Sequence, residues 1–294
     1  MNIFVFGSLN IDHTYRLPHM LRIGETLSSY EYSRNVGGKG LNQAIALRRA
    51  GSNVCFAGAI GADGIFLTDY LLENGIDITC ITQVDVPTGH AVIQVDDMGR
   101  NAILLFGGAN QMISDRMISE TFEKVQTGDW ILLQNEINNG DRIIRAAYER
   151  GVKVILNPSP FSKELLTWPL EMVSYLILNE VEGRDLTGKT RTEDILNELL
   201  TRYPACHIVL TLGEHGSEYA DAKQRYSQVA YRCDAVDTTA AGDTFTGYFL
   251  HAISCGYPIQ DALKLSSIAS SIAVTKQGAA VSIPNIDDVM NAGI

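Results

Sequence analysis

The chain has 294 residues, with 23 Lys and Arg against 34 Asp and Glu, and a formal net charge of −11. A hydrophobic fraction of 46% with 19% charged is that of a globular chain, and the length suits one large domain or two small ones. The acid excess excludes a general nucleic-acid binder, which needs a basic face, so any phosphate site must be a local arrangement that overrides the global charge.

The start, MNIFVFGSLNID, lacks a basic leader and has too short an apolar run for a signal peptide. A strand is predicted at 3–7, followed by strand-like pieces with no helix in 11–36 and a helix at 41–50 stopped by Gly51. A strand at 54–60 and a helix at 65–73, ending near Gly75, come next. Residues 85–108 again lack a helix: 90–96 and 101–106 flank Asp97-Met98-Gly99-Arg100, which reads as a hairpin turn. The remainder alternates. Strands are predicted at 130–134, 153–157, 175–179 and 207–212, with helices at 141–150 (before Gly151) and 192–202. A strand at 226–233 precedes helices at about 241–255 and 258–277. The strands are continuous apolar runs, as in strands buried on both faces, and the alternation means crossover units in an α/β fold with a mainly parallel sheet. The two helix-free stretches are expected to form a small sheet projecting from the main one. No stretch approaches the roughly 18 apolar residues of a membrane span. Cys55, Cys80, Cys206, Cys233 and Cys255 make no CxxC pair, so buried reduced thiols in a cytoplasmic protein are expected.

Ligands of such sheets bind beyond the carboxyl ends of the strands. Polar residues crowd that slot: Asn10 and Asp12, Asn135 and Glu136, Asn157, Asn179 to Glu182, and Thr211 to Gly213. GxxxxGK[ST], GxGxxG, GxSxG, HExxH and EF-hand patterns are absent, which disfavours a dinucleotide-dependent oxidoreductase. The strongest local signal is Asp237-Thr238-Thr239-Ala240-Ala241-Gly242-Asp243-Thr244-Phe245. Three small residues leave their amides open at a helix start, which supplies N–H donors and partial positive charge to an anion. Asp243 either has a chemical role there or caps the first turn. Val36-Gly37-Gly38-Lys39-Gly40-Leu41-Asn42-Gln43-Ala44 is either a loop bent around a ligand with Lys39 on it, or a glycine-rich turn with a solvated lysine. Asn179-Glu180-Val181-Glu182 offers a carboxylate for a magnesium-bound water, or is a polar helix start.

Taken together, GSLNID at 7–12, GGKGLNQA at 37–44, NP at 157–158, NEVE at 179–182, TLGEHG at 211–216, DTTAAGDTF at 237–245 and IAVTKQGAAVSIP at 272–284 resemble the ribokinase-like (PfkB) carbohydrate kinase family over nearly the whole chain. The resemblance implies a three-layer sandwich, one domain over 1–294, with a β-sheet lid from about 11–36 and 85–108 through which two copies pair as a homodimer. The implied reaction moves the γ-phosphoryl group of ATP, with Mg2+, to a primary hydroxyl of a small sugar. D-ribose is the first expectation; fructose, deoxyribose, a sugar acid or a nucleoside is the alternative, and a non-catalytic sugar-binding protein on the same fold is a different class. By the same resemblance Asp243 is the base, and the amides of Ala240, Ala241, Gly242 and Asp243 hold the transferred phosphoryl group. Asn10, Asp12, Gly38, Lys39, Asn42, Glu136 and Asp243 contact sugar. Asn179, Thr211, Gly213, Gly216 and Gly242 contact nucleotide, and Glu182 contacts Mg2+ through water. Asp237, Thr239, Ala273, Lys276, Gly278 and Ser282 hold K+. Three positions depart from the family pattern: Gly278-Ala279-Ala280-Val281-Ser282 lacks a proline common in that loop, Ser267 stands where a histidine is often found near adenine, and Val36 replaces a common aromatic. No nucleic acid or membrane is expected as a partner.

Overall fold

The structure, a computed structural model, describes residues 1–292; the last two positions of the expected 1–294 domain lie outside the described residues. The strands are β1 (Ile3–Phe6), β2 (Asn10–Leu17), β3 (Glu31–Gly37), β4 (Val54–Ile60), β5 (Asp77–Gln83), β6 (Gly89–Asp96), β7 (Asn101–Phe106), β8 (Trp130–Gln134), β9 (Lys153–Asn157), β10 (Tyr175–Asn179), β11 (His207–Thr211), β12 (Ser217–Ala220) and β13 (Arg225–Gln228). The α-helices are α1 (Lys39–Ala50), α2 (Ile65–Glu73), α3 (Asp115–Phe122), α4 (Gly140–Glu149), α5 (Glu180–Thr187), α6 (Thr192–Arg202), α7 (Ala241–Ser254), α8 (Ile259–Ala273) and α9 (Ile286–Met290).

Nine strands form the central sheet in the order β13-β12-β11-β10-β9-β8-β1-β4-β5, parallel except at β11–β12–β13. Successive residues feed two separate cores. Ile3 and Val5 pack with Leu41, Leu71, Phe249 and Leu263, while Phe4 and Phe6 pack with Phe122, Ile143 and Leu199. Helices α1, α2, α7 and α8 therefore cover one face and α3 to α6 the other, which is the three-layer sandwich and the reason the strands read as unbroken apolar runs. Among the described residues no helix is long and apolar enough to cross a membrane.

The helix-free segments supply a second sheet, β3-β2-β6-β7. β2 runs antiparallel to β3, with Asn10 opposite Gly37, and parallel to β6, with Asn10 opposite Gly89. The Asp12 carboxylate packs over Gly37, where a Cβ would lie 2.1 Å from one of its oxygens and force that side chain to move.

Several sequence expectations need correction. The strand placed at 226–233 stops at Gln228, because beyond it the chain leaves β12, its only partner among the described residues. The helix placed at 258–277 ends at Ala273, where the Val274 carbonyl turns away to accept the N–H groups of Val236 and Asp237. The strand placed at 207–212 ends at Thr211, as Leu212 N–H closes a turn on Gly216. β5, β12, α3 and α9 were not expected. All five thiols are free, but Cys233 and Cys255 are exposed and Cys80 is half-buried, so only Cys55 and Cys206 fit the expected burial.

Candidate active site

The carboxyl ends of β1, β8, β9, β10 and β11 open on one edge of the sheet, and α1 and α7 begin there. α7 lies directly on α1 at Gly247, where a Cβ would meet that of Ala46 at 2.4 Å. This close approach brings Asn42 and Gln43, 201 and 200 residues away in sequence, onto Asp243.

Asp243 is buried, and its carboxylate does not cap its own helix. Oδ2 accepts Asn42 Nδ2 at 3.0 Å and Oδ1 accepts Gln43 Nε2 at 2.8 Å. The start of α7 is capped by no side chain. Ala240 occupies it at φ 59°, a left-handed conformation that costs a residue with a Cβ about 1–2 kcal/mol. The expected run of four open amides is reduced by one, because Ala241 N–H bonds the Thr238 carbonyl at 3.2 Å. Among the described residues, the amides of Ala240, Gly242 and Asp243 donate to no protein atom. A Cβ on Gly242 would meet nothing within 4 Å.

These groups line a cavity of about 190 Å3 together with Lys39, Asn157, Asn179, Glu182, Thr211 and Thr238. Burial lowers the Lys39 ammonium, but the carboxylates of Asp243, Glu136 and Glu182 together outweigh it and hold the amine above its ordinary value. Asn179 and Glu182 form a reciprocal cap at the start of α5. Asn179 Oδ1 accepts the Val181 and Glu182 amides, and Glu182 accepts Asn179 N and Nδ2 at 2.9 and 3.0 Å. The polar helix start and the cavity-facing carboxylate are thus one structure. Gly213 and Gly216 do not line this cavity; at φ 57° and 102° they shape the turn that follows Thr211.

The expected sugar contacts gather on the other side of Lys39. Glu136 accepts the Ser8 hydroxyl and Lys39 N–H, and burial pushes its carboxyl up. Gly38, at φ 96°, precedes α1 and its carbonyl accepts Asn42 N–H. Asn10 Oδ1 accepts Asn110 Nδ2 at 2.7 Å. Asn42 Oδ1 is buried without a partner, an acceptor left for a hydroxyl. Asp12 is pushed up to about 7 by burial and by Glu136. Its stabilising, protonated form is fully present below 3.8 and is lost as the pH rises through about 7. Asp12→Asn is therefore expected to raise the melting temperature of the ligand-free protein by a few degrees at about pH 8, and to change it little at about pH 4. Thermal scans check this; an equal shift at both pH values would contradict it.

The expected cation positions meet where two loops join. Burial raises the Asp237 carboxyl, but hydrogen bonds from the Thr239 hydroxyl, Gly278 N–H and Thr239 N–H hold it below its ordinary value. The carbonyls of Asp237, Thr239, Lys276 and Gly278 accept no hydrogen bond among the described residues, whereas that of Ala273 takes Lys276 N–H and the Ser282 hydroxyl turns to Ala279 O. A set of neutral, unspent carbonyls fits a monovalent cation.

Residues missed in the sequence are Gln43 and Gln134, both fully buried, with Ser8 and Asn110. Gln43 stands inside the glycine-lysine motif, and Asn110 ends a Gly-Gly-Ala-Asn run, so their positions were visible although their partners were not.

A family model described as pfkB family carbohydrate kinase matches residues 1–286, and the chain belongs to that family. It is a phosphotransferase with an alcohol group as acceptor. The ribokinase of Haemophilus influenzae is 34% identical over 97% of this chain and 96% of its own. Among solved structures, the ribokinase of Cryptococcus neoformans in complex with ADP has a TM-score of 0.86 at 34% identity, covering 99% of each chain. The Arabidopsis thaliana ribokinase complexed with ribose and ATP has a TM-score of 0.86 at 29% identity, over 98% of this chain and 97% of that one.

Proposed function

We infer that the chain transfers the γ-phosphoryl group of ATP to the primary hydroxyl of D-ribose, giving D-ribose 5-phosphate. One observation carries this reading. A carboxylate held only by neutral amides, Asp243, stands beside the unspent amides of a helix start in a cavity that also holds the Lys39 side chain. Asp243 takes the proton of the attacking hydroxyl. An ordinary carboxylate is a weak base for an alcohol, but the transition state of phosphoryl transfer is loose, so positioning outweighs basicity. The Ala240, Gly242 and Asp243 amides, with Ala241 shaping the turn, stabilise charge on the equatorial oxygens.

Asn10, Asp12, Gly38, Lys39, Asn42 and Glu136 bind the sugar. Their amide and carboxylate groups suit an uncharged polyol, and Lys39 is the one cation among them. Asn179 and Thr211 line the nucleotide side. Glu182, through a water, would hold Mg2+, which supplies charge neutralisation at the phosphates. Asp237, Thr239, Ala273, Lys276, Gly278 and Ser282 would hold K+, which fixes the loop before Asp243. The small sheet acts as a lid on a single kinase domain. Its edge strand β7 exposes Ile103, Leu104, Leu105 and Phe106, an apolar edge that supports pairing of two copies. Five free thiols are in keeping with the cytoplasm.

A panel of sugars with MgATP tests the reading: D-ribose is expected to give the highest kcat/KM. No turnover of ribose, with turnover of fructose, deoxyribose or a nucleoside, would overturn the ribose assignment. Replacing Na+ by K+ at fixed ionic strength is expected to raise activity, and Asp237→Ala to abolish the difference. Equal rates in the two salts would remove the cation from the account.

A further inference from the structure

We propose that Gln43 is a positioning residue for Asp243, and that Gln134 sets the direction of its amide from behind. The inference rests on the reading of Asp243 as the base. Gln43 and Gln134 are both 0% exposed, and neither lines the cavity. A buried primary amide has two distinct ends, so its orientation is a choice that the surroundings must impose. Here they impose it three times. Gln134 Nε2 donates to Gln43 Oε1 at 2.7 Å, so the oxygen of Gln43 is turned to β8. Gln43 Nε2 then faces Asp243 Oδ1 at 2.8 Å and Asn157 Oδ1 at 3.1 Å. Asn157 can only accept at that atom, because its own Nδ2 donates to the Ile177 carbonyl at 2.7 Å.

Gln134 is fixed in turn by its place at the end of β8. Its Oε1 has no hydrogen-bond partner and lies against Gly7, where a Cβ would stand 2.6 Å from it. Leaving a buried amide oxygen unpaired is costly, and the observed orientation accepts that cost to keep its N–H on Gln43. The chain of donors therefore runs in one direction, from β8 through α1 to α7. It ends on one oxygen of Asp243, while Asn42 donates to the other. Both donors are neutral, so they fix the rotation of the carboxylate without neutralising it. A carboxylate that must meet one hydroxyl needs this orientation more than it needs added basicity.

The proposal makes the polarity of residue 134 matter to chemistry although it touches neither the cavity nor Asp243. Gln134→Glu, once ionised, puts an acceptor where the donor was; burial raises its carboxyl, so kcat of this variant is followed from about pH 6 to about pH 9. Gln43 then turns its Nε2 to residue 134 and its oxygen to Asp243. Gln134→Met removes the donor without reversing it, and Gln43→Met removes the contact itself. The test measures kcat and the sugar KM for these variants, for Asp243→Asn, and for the Gln43→Met/Asp243→Asn pair, with melting temperatures for all. Gln43→Met and Gln134→Glu are expected to lower kcat by about 10- to 100-fold with sugar KM within about threefold of wild type. Gln134→Met is expected to fall between Gln134→Glu and wild type, whatever the order of the melting temperatures. Gln43→Met is expected to cost nothing further once Asp243 is Asn, as groups acting as a unit are non-additive. Asp243→Asn inactive while Gln43→Met and Gln134→Glu keep wild-type kcat would overturn this inference alone. Asp243→Asn with wild-type turnover would overturn the base assignment and this inference with it. A loss of kcat that follows melting temperature and ignores the polarity of residue 134 would reduce both glutamines to packing.

Discussion

Asp243→Asn is expected to lower kcat by about 10³- to 10⁴-fold and to leave D-ribose affinity within about threefold of wild type. The carboxylate stands beside the open amides of α7, and the other carboxylate lining that cavity, Glu182, is engaged with Asn179 N and Nδ2. The neighbours of Asp243 there are the Asn42 and Gln43 amides and the Lys39 ammonium, none of which accepts a proton from an alcohol. Sugar affinity survives because Asn10, Asp12 and Glu136 make no hydrogen bond to Asp243, and Asn10 and Glu136 keep their own partners. Initial rates with MgATP, together with direct sugar titration, check both halves. Turnover within about tenfold of wild type would give the proton to another acceptor and remove Asp243 from the role.

Gly242→Val is expected to lower kcat/KM for MgATP by about 100-fold or more, with a melting temperature within about 2 °C of wild type. Two observations separate these effects. Apart from its own helix backbone, a Cβ at Gly242 meets nothing within 4 Å, so it points into open space and not into the packed fold. That open space is the cavity in front of the unspent amides, so the same side chain occupies the volume an anion needs. A folded variant with unchanged nucleotide kinetics would mean that the phosphates are held elsewhere.

The sequence was most readable where local physics decides the structure. β1, β4, β8, β9, β10 and β11 are buried on both faces, so their apolar runs are continuous and bounded by polar residues. β5 escaped notice because it is an edge strand with mostly half-exposed and exposed residues, and Asp77, Thr79 and Gln83 broke the apolar pattern. β12 is four residues long, and α3 spans two turns with Ser114 as its only clear signal. The overruns at 226–233 and 258–277 have one cause: composition continues past the point where the backbone changes hydrogen-bond partner.

The site was legible to a similar depth. Glycine spacing and the small residues before Asp243 announce backbone that must approach a ligand, a property of the local chain. The choice between Asp243 as a cap and Asp243 as a chemical group turned on Asn42 and Gln43, which only the packing of α7 on α1 supplies. Gln43 looked like an ordinary helix residue, because its partners at 134, 157 and 243 come from three other elements. The −11 charge misled for a related reason. An anion site built from main-chain amides adds nothing to a count of side chains.

The most direct test of the central claim is a crystal structure of the chain with D-ribose and a non-hydrolysable ATP analogue. The primary hydroxyl of the sugar is expected within hydrogen-bond distance of an Asp243 carboxylate oxygen, with the terminal phosphate against the Gly242 and Asp243 amides. Ribose bound with another hydroxyl towards Asp243, or a terminal phosphate away from the start of α7, would contradict the account.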